Sequence, residues 1–305
     1  MEYGLTIPFS SGSAPIELSQ VDFEQIRAAR ANYLTLLGVE EKMDVVLENY
    51  AEYESTLYGL TFRQMFTFHL PHPMLVADMR LINRRLLNLL AAAKLYLDQL
   101  AHDIASLYSG SPRHWHRIDQ RRRELHSKSV GYRVAEELRR HIQHRDLPIT
   151  TLFYDSIPRD ESGDRYMQHG IDPKLDTAGL AADGKFKKDV LRELQTMGPK
   201  VPVTPLIREY VGCLGLLHEF VREVTDADAS RWEGCLTSAI ERGRSEFGDA
   251  AAFAAVRLAE DGSSRESHQV FPGLLELRLI LLRKNALLAR LSRRYVSGEL
   301  IRQDA

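Results

Sequence analysis

Between residues 74 and 108 the apolar side chains Leu75, Met79, Ile82, Leu86, Leu89, Ala93, Tyr96, Leu100, Ile104 and Leu107 follow one another in steps of four and three. Such steps keep every one of them on one side of an α-helix. The stripe predicts a single helix over about 74–108, roughly 50 Å long at 1.5 Å per residue. Ser109, Gly110 and Pro112 stop it. A helix of that length with one apolar side needs a long partner to cover it. The expected partner is the segment at about 118–146, where Leu125, Ser129, Tyr132, Ala135, Leu138 and Ile142 mark a buried side and Pro148 forces an end. A short loop around 109–117 makes the pair antiparallel.

The rest of the chain is read around that hairpin. Residues 1–18 carry Pro8, Ser10, Ser11, Gly12, Ser13 and Pro15 and read as an extended arm. A helix over about 19–37, capped by Ser19 and ended by Gly38, precedes a second at about 40–58, both packing on the hairpin as a bundle. Residues 149–154 are β-branched and aromatic and read as a short strand, whereas 158–184 are polar with Gly, Asp and Pro and read as a loop. Helices are expected at about 185–197, 205–225, 228–247 and 274–296, with a strand at 267–271. The last helix is very apolar with a basic side, which suits burial in the bundle or a dimer interface. The expected fold class is therefore mainly all-α, with a long antiparallel helical hairpin in a bundle, a further helical C-terminal part and a few short strands. The expected divisions are an arm at 1–18, the bundle at 19–155, a linker at 156–184 and a C-terminal helical region of unknown role at 185–305.

Composition excludes several classes of function. The net charge of −2 gives the 305-residue chain no global attraction to a polyanion, so any such attraction must be local. Cys213 and Cys235 are expected as free thiols in a reducing compartment and lack metal-ligand spacing. Residues 1–15 have neither the basic start nor the apolar core of a secretory leader. The longest apolar run, 86–97, is interrupted by Asn88 and Lys94 and is too short to span a bilayer. A cytoplasmic protein with no membrane partner is expected. Phosphate-binding glycine loops and a Gly-x-Ser-x-Gly elbow are missing from the sequence, and His114 and His116 around Trp115 have no carboxylate at ligand spacing, so no cofactor or metal is expected.

One stretch breaks the neutrality. Between residues 112 and 145 there are ten arginines and lysines against four acidic residues, and five of the chain's 11 histidines. A basic helix side carrying imidazoles suits a phosphodiester, because guanidinium grips phosphate and histidine moves protons near neutral pH. The same residues also suit a solvated face, with Glu136–Arg140 and Glu137–His141 as i,i+4 pairs and the cations near a helix C-terminus.

Residues 133–148 read Arg-Val-Ala-Glu-Glu-Leu-Arg-Arg-His-Ile-Gln-His-Arg-Asp-Leu-Pro, so that Arg139 and His144 have four residues between them. Residues 48–54, Glu-Asn-Tyr-Ala-Glu-Tyr-Glu, form an acidic stretch on an earlier helix. Together these resemble the signature of the HEPN superfamily (higher eukaryotes and prokaryotes nucleotide-binding), over about residues 20–150. Arg140 stands where that family commonly has Asn. The resemblance implies an all-α bundle and metal-independent RNA cleavage, often by a homodimer whose motifs face each other across a cleft, and often in a toxin or defence role. It implies proton transfer by His144 and phosphate binding by Arg139, with Arg140, His141 and Arg133 as secondary candidates and Arg121, Arg122 and Arg123 as RNA-binding residues. On an ideal helix Arg139 and His144 lie about 140° apart, while Arg140 and His144 share a face. The alternative is a non-catalytic helical interaction protein that keeps a HEPN-like fold, with His144 resting on helix C-terminal carbonyls.

Overall fold

The computed structural model describes residues 2–8, 14–67, 70–108, 111–161, 164–182, 184–249, 252–260 and 263–286. Within them the chain is mainly helical, as expected. The helices are α1 (Gln20–Gln64), α2 (His72–Leu107), α3 (Arg113–Lys128), α4 (Val130–His144), α5 (Thr177–Ala182), α6 (Lys188–Met197), α7 (Val203–Phe247) and α8 (Pro272–Lys284). The strands are β1 (Tyr3–Thr6), β2 (Ile16–Glu17), β3 (Ile149–Glu161), β4 (Asp164–Asp176), β5 (Lys200–Pro202), β6 (Phe253–Leu258) and β7 (Ser264–Val270).

By its contacts the chain divides into two discontinuous units rather than at residues 18, 155 and 184. The first unit is Met1–Asp44, Asp98–His116 and Val221–Ala286. The second contains Val45–Leu97 and Arg117–Phe220. Helices α1, α2, α3 and α7 contribute residues to both.

In the first unit the expected arm is instead β-structure. Strands β2, β1, β6 and β7 form an antiparallel sheet in that order, with Leu5 opposite Ala255 and Phe253 opposite Val270. Four consecutive buried residues, Phe253, Ala254, Ala255 and Val256, hide both faces of β6. Its apolar run lacks alternation, and β6 has no counterpart in the sequence reading. A Cβ at Gly243 would lie 2.4 Å from the Phe253 ring, so α7 passes over β6 only because position 243 has no side chain. Arg222 binds the buried Glu40 through two nitrogens, at 2.6 and 3.0 Å, and donates to the Asn285 carbonyl at 3.0 Å, joining α7, α1 and the end of α8. Residues Ser10–Ser13 of the arm, Ser109 and Gly110, and 287–296 of the expected last helix lie outside the described residues.

In the second unit α2 matches the predicted helix, with Ile82, Leu86, Leu89, Ala93 and Tyr96 fully buried. Its long neighbours, however, are α1 and α7. Tyr96 meets His218 of α7 at 3.0 Å, Arg85 binds Glu52 of α1, and Tyr53 of α1 meets Thr204 of α7 at 3.0 Å. The predicted helix over 118–146 is two helices, broken at Ser129. The predicted pair 19–37 and 40–58 is one helix of 45 residues, because buried Leu36, Leu37, Val39 and Met43 carry the apolar stripe straight past Gly38. An interior glycine costs only about 1 kcal/mol against that burial. The same continuity merges the two helices expected over 205–247 into α7.

The expected linker is a β-hairpin. Strands β3 and β4 pair antiparallel from Ile149↔Leu175 to Glu161↔Asp164, and β5 adds to β4 at Lys174↔Pro202. Its start is fixed by Asn83, buried in α2. The Asn83 amide donates to the Ile149 carbonyl at 2.8 Å and accepts the Ile149 N–H at 3.2 Å, imitating a neighbouring strand. Tyr154 donates to Asp78, which also receives Arg63.

Asn83→Ala leaves both backbone groups of Ile149 buried and unpaired, and is expected to lower stability by about 1–3 kcal/mol in urea denaturation. Arg192→Ala, at an exposed residue that pairs with neighbouring Asp189, is expected to stay within about 0.5 kcal/mol.

Candidate functional site

Helix α4 is held at both ends. At its start Ser129 is extended, with φ −112° and ψ 120°, and its hydroxyl accepts the Tyr132 N–H at 2.9 Å. This cap is the physical reason for the break between α3 and α4. The Gly131 N–H donates to Glu209 of α7 at 3.1 Å, and a Cβ at 131 would lie 2.4 Å from the Leu206 carbonyl oxygen. Only glycine permits that approach. At the far end Arg145 leaves the helix and the chain passes through Pro148 to the anchored Ile149. Between these points Tyr132, Val134, Ala135 and Leu138 are completely buried, which sets the rotation of the helix.

That rotation turns one polar stripe onto a cavity of about 440 Å³, lined by Glu137, Arg140, His141, His144 and Arg145 with Lys185 and Phe186. Glu137, Arg140, His141 and His144 are spaced 0, 3, 4 and 7 along α4, a single helical face, and Arg145 follows just past its end. Glu137 is almost fully buried. Its carboxylate binds Arg140 at 3.0 Å and accepts the Lys187 backbone N–H at 3.4 Å, holding the segment before α6 against α4. Phe186 is buried and places its ring 6.2 Å from His141 at 61°. His144, Arg145 and Lys185 are exposed at the mouth. Three cations and two imidazoles thus face one buried carboxylate that is already engaged. The cavity favours an anion and offers two groups that can take and return protons.

No family model, curated protein or solved structure matches this chain.

The residues singled out from sequence are placed in separate environments. His144, Arg140 and His141 share the cavity just described. Arg139 does not line it, because α4 remains helical as far as His144 and the two side chains keep different faces. Its guanidinium donates to Gln143 at 2.8 Å and lines a second cavity of about 190 Å³, which Arg140 also borders. Arg133 is a clasp: it binds Glu193 of α6 at 2.7 Å and the carbonyls of His126 and Ser127 at 2.8 and 2.6 Å. Arg121, Arg122 and Arg123 line neither cavity. Arg121 sits 3.6 Å from Glu124, and Arg122 and Arg123 bind Asp119 at 2.8 and 2.5 Å. His114 stacks on Tyr108 at 3.7 Å.

Lys185 and Phe186 were missed from the sequence, since only the tertiary fold brings them to α4. Glu137 was legible in principle, from its spacing to Arg140, His141 and His144. Among the described residues no three His, Cys, Asp or Glu side chains are placed to hold a metal ion. No described helix is long and apolar enough to cross a membrane.

Asp119 sets the acid response of α3. Burial raises its carboxyl, but the bonds from Arg122 and Arg123 outweigh this and hold it below its ordinary value. A depressed folded value contributes stability above the unfolded value and loses it as pH falls through the folded one. Asp119→Asn is therefore expected to lower the urea midpoint at neutral pH, and the gap to wild type to close below about pH 4. Equal midpoints at neutral pH would contradict this account of α3.

Proposed function

We propose that this protein is a metal-independent endoribonuclease with a HEPN-like site in the cavity on α4. The observation that carries the reading is the convergence of His141, His144, Arg140, Arg145 and Lys185 on one cavity of about 440 Å³. These are the groups that cleave RNA without a Lewis acid. The two imidazoles take the proton from the 2′-hydroxyl and return one to the departing 5′-oxygen. The guanidinium groups of Arg140 and Arg145 hold the phosphate and stabilise the charge that develops as the 2′-oxygen attacks phosphorus. The P–O5′ bond breaks, leaving a 2′,3′-cyclic phosphate and a 5′-hydroxyl, so no co-reactant is needed. Glu137 is a positioning residue, fixing Arg140 from the buried side. The reading includes a homodimer and a toxin or defence role.

A second reading is favoured by one observation. Arg121, Arg122, Arg123, Arg133 and Arg140 each have an internal carboxylate partner, as a structural surface would. On that reading the protein is a non-catalytic helical interaction module.

Cleavage of a single-stranded oligoribonucleotide in excess EDTA separates the two. Wild type is expected to cut, leaving cyclic phosphate ends, and His144→Ala and His141→Ala are each expected to slow it about 10²–10⁴-fold. Equal rates in wild type and both variants, or wild-type activity that EDTA abolishes, would remove the ribonuclease reading. Induced expression of wild type but not His144→Ala is expected to arrest growth of the host cell.

A further inference from the structure

Arg140 forms a wall common to two cavities. Beyond it lies the smaller one, about 190 Å³, into which α2 brings Lys94, α4 brings Glu136 and Arg139, and α7 brings Tyr210. Its lining carries three cationic side chains, Lys94, Arg139 and Arg140, and one carboxylate, Glu136. Glu136 is turned to His126 of α3 at 3.2 Å. Arg139 is held at 2.8 Å by the neutral amide of Gln143 and has no carboxylate partner among the described residues. Tyr210 is only 3% exposed and lines the same cavity. Burial pushes its phenol far above the ordinary value, so it stays a neutral O–H donor.

Size separates the two cavities as well. The larger falls within the roughly 300–1,000 Å³ of small-molecule sites, whereas the smaller falls below that range. The smaller one therefore suits a compact charged group rather than a whole nucleotide.

We infer that the second cavity is a subsite for the phosphate adjoining the cleaved link, bound by Lys94, Arg139 and Tyr210, with Arg140 bridging the two phosphates. This rests on the reading of the first cavity as a phosphodiester site. A cation that borders both cavities is placed to meet successive phosphates of one strand. Arg139 is then a binding residue for the neighbouring nucleotide, and its removal acts on KM more than on kcat.

The test uses the full chain and a fluorescent eight-nucleotide strand whose 2′-hydroxyls are replaced by hydrogen, so that it binds without being cut. Lys94→Gln and Arg139→Gln are each expected to weaken binding about 10-fold, the loss of one charge-assisted contact. Each also lowers the slope of log affinity against log salt by about 0.7, one phosphate contact on a single strand. Tyr210→Phe weakens binding without changing that slope, because no charge is lost. Lys94→Arg restores affinity, which a merely structural role at position 94 does not predict. On cleavable RNA the deficit of Lys94→Gln falls on KM. Wild-type affinity and slope in Lys94→Gln and Arg139→Gln, alongside weakened binding in Arg140→Gln, would overturn the second subsite and leave the first standing. Absence of binding by wild type, or no effect of Arg140→Gln, would remove the phosphodiester reading and this inference together.

Discussion

An apolar stripe running the length of α2 has to be covered, and in the second unit that requirement arranges everything else. Burying such side chains is worth about 1.5–3 kcal/mol each, so neighbours of similar length are strongly favoured. Helices α1 and α7 supply them. Burial alone does not choose a register, and polar ties along the seams do. Tyr96 meets His218 in the fully buried centre, and Arg208 of α7 grips Glu54 of α1 through two bonds of 2.7 Å. Arg85 adds a tie from α2 to Glu52.

The position of α4 follows from that frame. The missing side chain at Gly131 lets α4 approach α7 at Leu206, and the Asn83 amide in α2 pins the chain where it leaves α4 for β3. With both ends fixed and one side buried, the remaining faces of α4 have no freedom. One must present residues 137, 140, 141 and 144 together, and the next must present 136 and 139. The chemistry assigned to the α4 cavity is thus a consequence of helical period and anchoring. It does not require the helix to unwind.

Much of this was legible without coordinates wherever periodicity carries the information. The stripe of α2, the end of α4 before Pro148 and the shared face of Arg140 and His144 all follow from spacing. What escaped depends on partners distant in sequence. The hairpin of β3 and β4 has polar side chains on both faces and contains Gly170, Pro158 and Pro173, the composition of a loop, and only pairing makes it a sheet. Ser129 read as one more residue on a buried side, although its hydroxyl caps α4. Gly38 read as a stop, because a local rule was applied where a continuous buried stripe prevails. At the candidate site, Lys94, Lys185, Phe186 and Tyr210 have no local pattern linking them to α4, so the second cavity was invisible.

The central claim is that the stripe on α4 grips a phosphodiester. Its most direct test is a crystal structure of the protein bound to a short RNA carrying a 2′-O-methyl group at the scissile position, which blocks attack. The account predicts a phosphate in the larger cavity, hydrogen-bonded to Arg140 and within reach of the His144 ring. Bound RNA lying on another surface, with that cavity empty, would contradict it.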